Sequence, residues 1–161
     1  MKFLLSFIYI LFFFSKPDIS EIRKLYPNVV NSEVNAKEFA AKLSDITNQD
    51  DKVLVAYKGA SITILSKYTK KVSDKIKNFK EGAKLVEYAV ANEPNSIEIR
   101  LIRLSIQENV PKIVKYNKNK SEDVAFILAH YKEQSKPLST YIKSFILQSK
   151  SFSEKEKQTI K

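Results

Sequence analysis

This chain of 161 residues contains no cysteine and no tryptophan, one histidine, two glycines and five prolines. Each scarcity closes a route. Without cysteine there is no disulfide, no thiolate metal site, no thiol nucleophile and no lipid-bearing N-terminal cysteine, so packing alone has to hold the fold. A single histidine, His130, cannot supply a histidine pair for a metal, and neither H-E-x-x-H nor G-x-S-x-G occurs. Gly59 and Gly82 stand alone, so no glycine-rich loop cradles a phosphate or a dinucleotide. So few turn residues also argue against a many-stranded sheet, whose hairpins need Gly, Asn-Gly or Asp-Gly. His130, in LAHYK, has no nucleophile motif beside it and reads as a surface or boundary residue. The carboxylates Asp50-Asp51, Glu122-Asp123 and Glu154/Glu156 fall at expected helix starts, where the helix dipole accounts for them. The expectation is a protein that is not an enzyme and carries no cofactor or metal.

Arginine is scarce too. Of 28 lysines and arginines only Arg23, Arg100 and Arg103 are arginine, although the net charge is +10. Acids and bases nearly cancel between Asp18 and Ile62, and the excess sits in SKYTKKVSDKIKNFKEGAK and PKIVKYNKNK. A lysine stripe can hold a polyanion or an anionic membrane surface through counterion release, and it can equally be a solvated face. Lys70, Lys71, Lys75, Lys77, Lys112 and Lys115, within segments 67–84 and 112–120, are the candidates. Arginine supplies the bidentate fork that reads guanine and phosphate, so its scarcity argues against a nucleic-acid reader.

The start of the chain is the opposite of scarce. After Lys2 an apolar run of twelve residues extends from Phe3 to Phe14, followed by Ser15-Lys16-Pro17. That is too short for a helix crossing a bilayer core of about 30 Å, and it is the length of a signal-peptide core. Residues 1–17 are therefore expected to be an export signal or an apolar N-terminal segment, with 18–161 a single domain. Export to a periplasm or cell surface is the expected destination. Membrane association through residues 3–14, if uncleaved, is the alternative.

Helical periodicity fills the rest. Asp18-x-x-Glu21 has capping-box spacing and opens a helix that Pro27 is expected to end. SEVNAKEFAAKLSDIT places Val34, Phe39, Leu43 and Ile46 near one face, and DDKVLVAYKGASITILSKYT reads as a central helix with Ala56, Gly59, Ala60 and Thr63 at close-packing intervals. A helix from Ser73 to about Asn92 carries Ile76, Phe79, Ala83, Val86 and Val90 and is stopped by Pro94. Asn95, three residues before Glu98, is expected to cap the next helix, SIEIRLIRLSIQE. A loop follows, with a cap expected at Ser121. SEDVAFILAHYKEQ and PLSTYIKSFILQSK are two further helices, and Ser153-x-x-Glu156 opens a short polar tail helix. The fold class expected is all-α, an antiparallel array of about six to seven helices.

Gly82, Val86, Ala89 and Pro94, followed by Asn95, resemble the second helix and exit turn of a tetratricopeptide repeat (TPR). The resemblance covers residues 79–110 and implies TPR-like hairpins and a protein or peptide partner. More broadly, LYP, AYKGA, FKEGA, PNSIEIRLIRLSIQENVPK and FIL, in this order, resemble a group of small exported all-helical bacterial proteins.

The 97–107 helix holds the one polar feature with a shape. Ile97, Leu101 and Leu104 lie to one side, Ile99, Ile102 and Ile106 to the other, and Arg100, Arg103 and Gln107 run between them. Two readings stay open. The arginines reach past a largely buried helix to acids such as Glu87, Glu93 or Glu98, or they line a groove that binds a carboxylate or peptide. The functional expectation is an exported interaction module, with the lysine segments as the alternative contact and no nucleic-acid partner.

Overall fold

The computed structural model describes residues 16–111 and 114–160. The apolar run at 3–14 and Lys112 lie outside the described residues. Among these residues there are eight α-helices and no strand, in an antiparallel helical array. They are α1 (Ile19–Leu25), α2 (Glu33–Lys42), α3 (Lys52–Ser66), α4 (Val72–Asn92), α5 (Ile97–Asn109), α6 (Lys120–His130), α7 (Lys136–Gln148) and α8 (Glu154–Thr159).

Short polar side chains set several of the starts by satisfying amides that have no partner within the helix. Asp18 accepts from the Glu21 amide at 3.1 Å, Ser32 from Asn35 at 3.1 Å, and Asp51 from Val53 at 2.8 Å. Ser153 and Glu156 form a complete capping box, with Ile160 just beyond α8 buried in the core. Pro27 does not end the first helical stretch. The α-helix stops at Leu25, and a 3-10 helix over Tyr26–Asn31 takes Pro27 in its first turn, where its missing N–H costs nothing.

Two expected caps are corrected. Ser96, not Asn95, precedes α5, and no side chain caps it; Glu98, expected to complete a capping box with Asn95, is turned inward and buried. Ser121 lies inside α6, which Asn119 precedes, also without a side-chain cap. Val34, expected on the inner face of α2, is exposed, while Ala36, Phe39, Leu43 and Ile46 are buried.

No helix pair packs more extensively than α3 and α4. They cross at Gly59 and Gly82, where a Cβ on Gly59 would sit 2.6 Å from the Gly82 carbonyl oxygen and one on Gly82 would sit 2.5 Å from the Gly59 carbonyl oxygen. Backbone touches backbone here, so only glycine fits at either position. The small residue of the TPR-like pattern thus serves the contact with α3.

The expected central helix α3 has no exposed residue, and α5 is enclosed on both of its apolar faces. Ile99, Ile102 and Ile106 join a core built by α1 to α4, where Tyr57 meets Tyr26 and Phe39 in edge-on ring contacts at 5.2 and 6.2 Å. Ile97, Leu101 and Leu104 join a second core with α6, α7 and Phe152. At about 1.5 to 3 kcal/mol for each fully buried branched side chain, both faces draw α5 inward. Its two remaining edges are therefore polar groups with little access to water.

Candidate functional site

Helical spacing aligns Arg100, Arg103 and Gln107 along one edge of α5, and the structure buries all three, to 8, 3 and 3 % exposure. A buried guanidinium needs a carboxylate and an acceptor for each N–H. Asp123, wholly buried in the first turn of α6, meets most of that need. Arg103 grips it with two bonds, Nε donating to Oδ2 at 2.8 Å and Nη2 to Oδ1 at 2.6 Å, and its Nη1 donates to Glu87 at 3.1 Å. Arg100 donates from Nη1 to Glu122 at 2.6 Å and Asp123 at 3.1 Å, and from Nε to the Pro94 carbonyl at 2.7 Å. Its guanidinium also lies 4.3 Å from the centre of the Phe126 ring.

The electrostatics follow. Burial alone would lower the Arg103 pKa, yet the hydrogen bonds and charge of Asp123, with Glu87 behind it, raise it. Glu122 is held below the usual carboxylate range, first by its bond from Arg100 and then by Asn119. Burial, and then the bond to Glu87, push the Tyr116 hydroxyl up, so it stays protonated and donates to Glu87 at 2.5 Å. Of the acids expected to reach these arginines, Glu87 does so, and Asp123, whose place at a helix start the dipole alone would explain, is the main partner.

The opposite edge of α5 carries a second buried cluster that the helical pattern did not single out. Glu98 accepts both Nε and Nη2 of Arg23 at 2.8 and 2.7 Å, and the Tyr57 hydroxyl donates to it at 2.6 Å. Two turns on, Ser105 bonds the Tyr26 hydroxyl at 2.7 Å. The signal was present in the sequence: Glu98 and Ser105 fall seven residues apart, between the same two apolar faces. All three arginines of the chain are thus committed to internal carboxylates.

Gln107 is different. Its Oε1 is buried and has no hydrogen-bond partner among the described residues, and the residue lines a small cavity of about 170 Å³ with Glu108, Val110, Pro111, Tyr116, Asn117 and Lys120.

The lysine candidates lie outside. Lys70, Lys71 and Lys77 are exposed at the start of α4 with Lys80 and Lys84, while Lys75 is partly covered. Neither these lysines nor Lys115 has an ion-pair partner among the described residues. Ser73, Lys77, Lys80 and Lys84 line an open depression of about 430 Å³ together with Ile76 and Glu81. Lys115 is exposed on the loop after α5, which returns to α4 where Tyr116 packs edge-on against Phe79 at 5.7 Å. His130 sits at the surface, 2.9 Å from Glu133 and against the Phe126 ring.

Among the described residues no group of three or more His, Asp or Glu is arranged to hold a metal ion, and no helix is long and apolar enough to cross a membrane. Compared with known proteins, the chain matches no family model, no curated protein and no solved structure.

Proposed function

We propose that this chain is a non-catalytic, exported helical binding module whose contact surface is the lysine-rich first half of α4, and whose partner carries clustered negative charge. The observation that supports this reading is the division of the cations. The three arginines are consumed by buried carboxylates, while the α4 lysines stand in solvent without ion pairs among the described residues. Unpaired ammonium groups on one helix raise the local potential and gain counterion-release entropy when an anionic surface replaces their salt atmosphere.

A peptide carboxylate at Arg100, Arg103 and Gln107 is the less favoured contact, since it would have to displace Asp123 from both guanidinium groups. The TPR-like hairpin of 79–110 suits the proposal in another way. It fixes the second half of α4 against α3 and α5 and leaves the first half facing water.

The test is retention on immobilised heparin across a salt series. Wild type should bind and elute with a linear dependence of log affinity on log salt. The triple reversal Lys70→Glu, Lys71→Glu, Lys77→Glu should abolish retention without lowering the melting temperature. Failure of the wild type to bind heparin at about 50 mM salt removes the reading.

A further inference from the structure

The apolar stripe of α4 outruns the core it serves. Val72, Ile76, Phe79, Ala83, Val86 and Val90 follow one another at helical spacing along a single face. From Phe79 onward this face is buried against the first core, yet Val72 is 68 % and Ile76 45 % exposed. Lysines border that uncovered end on both sides. Lys71 and Lys75 fall on one flank, and Lys77, Lys80 and Lys84 on the other, where they line the depression that Ile76 also forms.

We infer that the first two turns of α4 dock on an anionic lipid bilayer, with Val72 and Ile76 entering the headgroup region and the flanking ammonium groups meeting lipid phosphates. This rests on the charge reading above and names the source of the negative charge. A soluble polyanion would satisfy the lysines and leave two branched apolar side chains in water. A bilayer interface satisfies both, because it presents phosphate at the level of the ammonium groups and acyl chain just below. Lysine suits this geometry: its stem lies along the apolar stripe while the charge stays in the wet layer. The absence of free arginine forks points the same way, since point-charge contact with phosphate needs no bidentate geometry.

The test compares sedimentation of the full chain with vesicles of phosphatidylcholine alone and of phosphatidylcholine carrying phosphatidylglycerol, beside heparin retention of the same proteins. Wild type should partition onto the phosphatidylglycerol vesicles only. The double substitution Val72→Ser, Ile76→Ser, at positions already open to water, should cut that partition about ten-fold or more while heparin retention stays as in wild type. The lysine reversal should lose both. Because the chain has no cysteine, an environment-sensitive dye on Ile76→Cys reports one position, and it should brighten on anionic vesicles while the same dye on Lys37→Cys of α2 does not.

Vesicle binding that survives the double substitution would place the contact elsewhere, the apolar run at 3–14 included, and would overturn the inference. Heparin binding by wild type without vesicle binding would overturn it too, in favour of a soluble polyanion such as nucleic acid. Heparin and vesicle binding both untouched by lysine reversal would sink the charge reading itself.

Discussion

The arginines around α5 and the lysines at the start of α4 carry the same formal charge in opposite surroundings. Arg103 is almost without solvent, gripped in two-bond geometry by Asp123, and Arg23 meets Glu98 the same way. Lys70, Lys71 and Lys77 have water on most sides and no carboxylate within ion-pair distance among the described residues. The planar fork of arginine fixes two carboxylate oxygens at once and loses little further freedom, which suits an interior. The ammonium of lysine is strongly hydrated and mobile, which suits a surface that must exchange partners. Net charge is therefore a poor guide to which cations can meet a partner. The arginine cations are structural and spoken for, and the lysine cations are available.

The largest effect is expected from removing Asp123. Asp123→Ala leaves two guanidinium groups buried without their shared carboxylate and should cost about 3 to 5 kcal/mol of unfolding free energy, read from urea denaturation. A loss below about 1 kcal/mol would mean the arginines simply turn out to water. Next comes the join between the two halves of α4. Gly82→Ala forces a methyl group onto the Gly59 carbonyl and should destabilise by about 1 to 3 kcal/mol, more than the helix propensity it gains. Heparin retention should be unchanged, because the exposed Lys70, Lys71 and Lys77 all lie more than one turn before Gly82.

Exchanging the two cations tests the contrast directly. Arg103→Lys keeps the charge and loses the fork, for an expected cost of about 1 to 2 kcal/mol. The reciprocal Lys77→Arg on the surface should stay within about 0.5 kcal/mol of wild type. Equal effects at both positions would erase the distinction.

The smallest effect is a matter of pH. Glu122 titrates below its ordinary value of 4.5 when folded, because the Arg100 bond favours its charged form. Its contribution is therefore complete above the unfolded value and lost as pH falls through the folded one. With half its side chain in solvent the contribution is screened, so Glu122→Gln should flatten the acid limb of stability by about 0.5 kcal/mol or less.

Much of the fold was legible because helices announce themselves by period. The split of α5 into an Ile97, Leu101, Leu104 face and an Ile99, Ile102, Ile106 face is readable from spacing, and the structure seats those faces in two different cores. The arginine edge was readable for the same reason. Its partner was not: Asp123 is twenty residues from Arg103 on another helix, and a helical pattern says which side chains share a face, not what lies opposite. Glu98 was misread because it fits a capping box locally, and the burial that turns it toward Arg23 and Tyr57 is a tertiary effect. Ile76 fits an apolar stripe yet lies where the core has ended, and periodicity carries no information about where a neighbour stops; Val34, five residues before Phe39, instead stands about 140° round the helix from it, on the outer face.

Because α5 supplies side chains to both hydrophobic clusters, neither cluster can melt while the other keeps this helix intact. Chemical denaturation should proceed as one cooperative transition seen alike by probes in α3 and in α7. A chain cut in the loop before or after α5 should leave at least one fragment unable to fold by itself, so the molecule cannot be divided into independently stable halves.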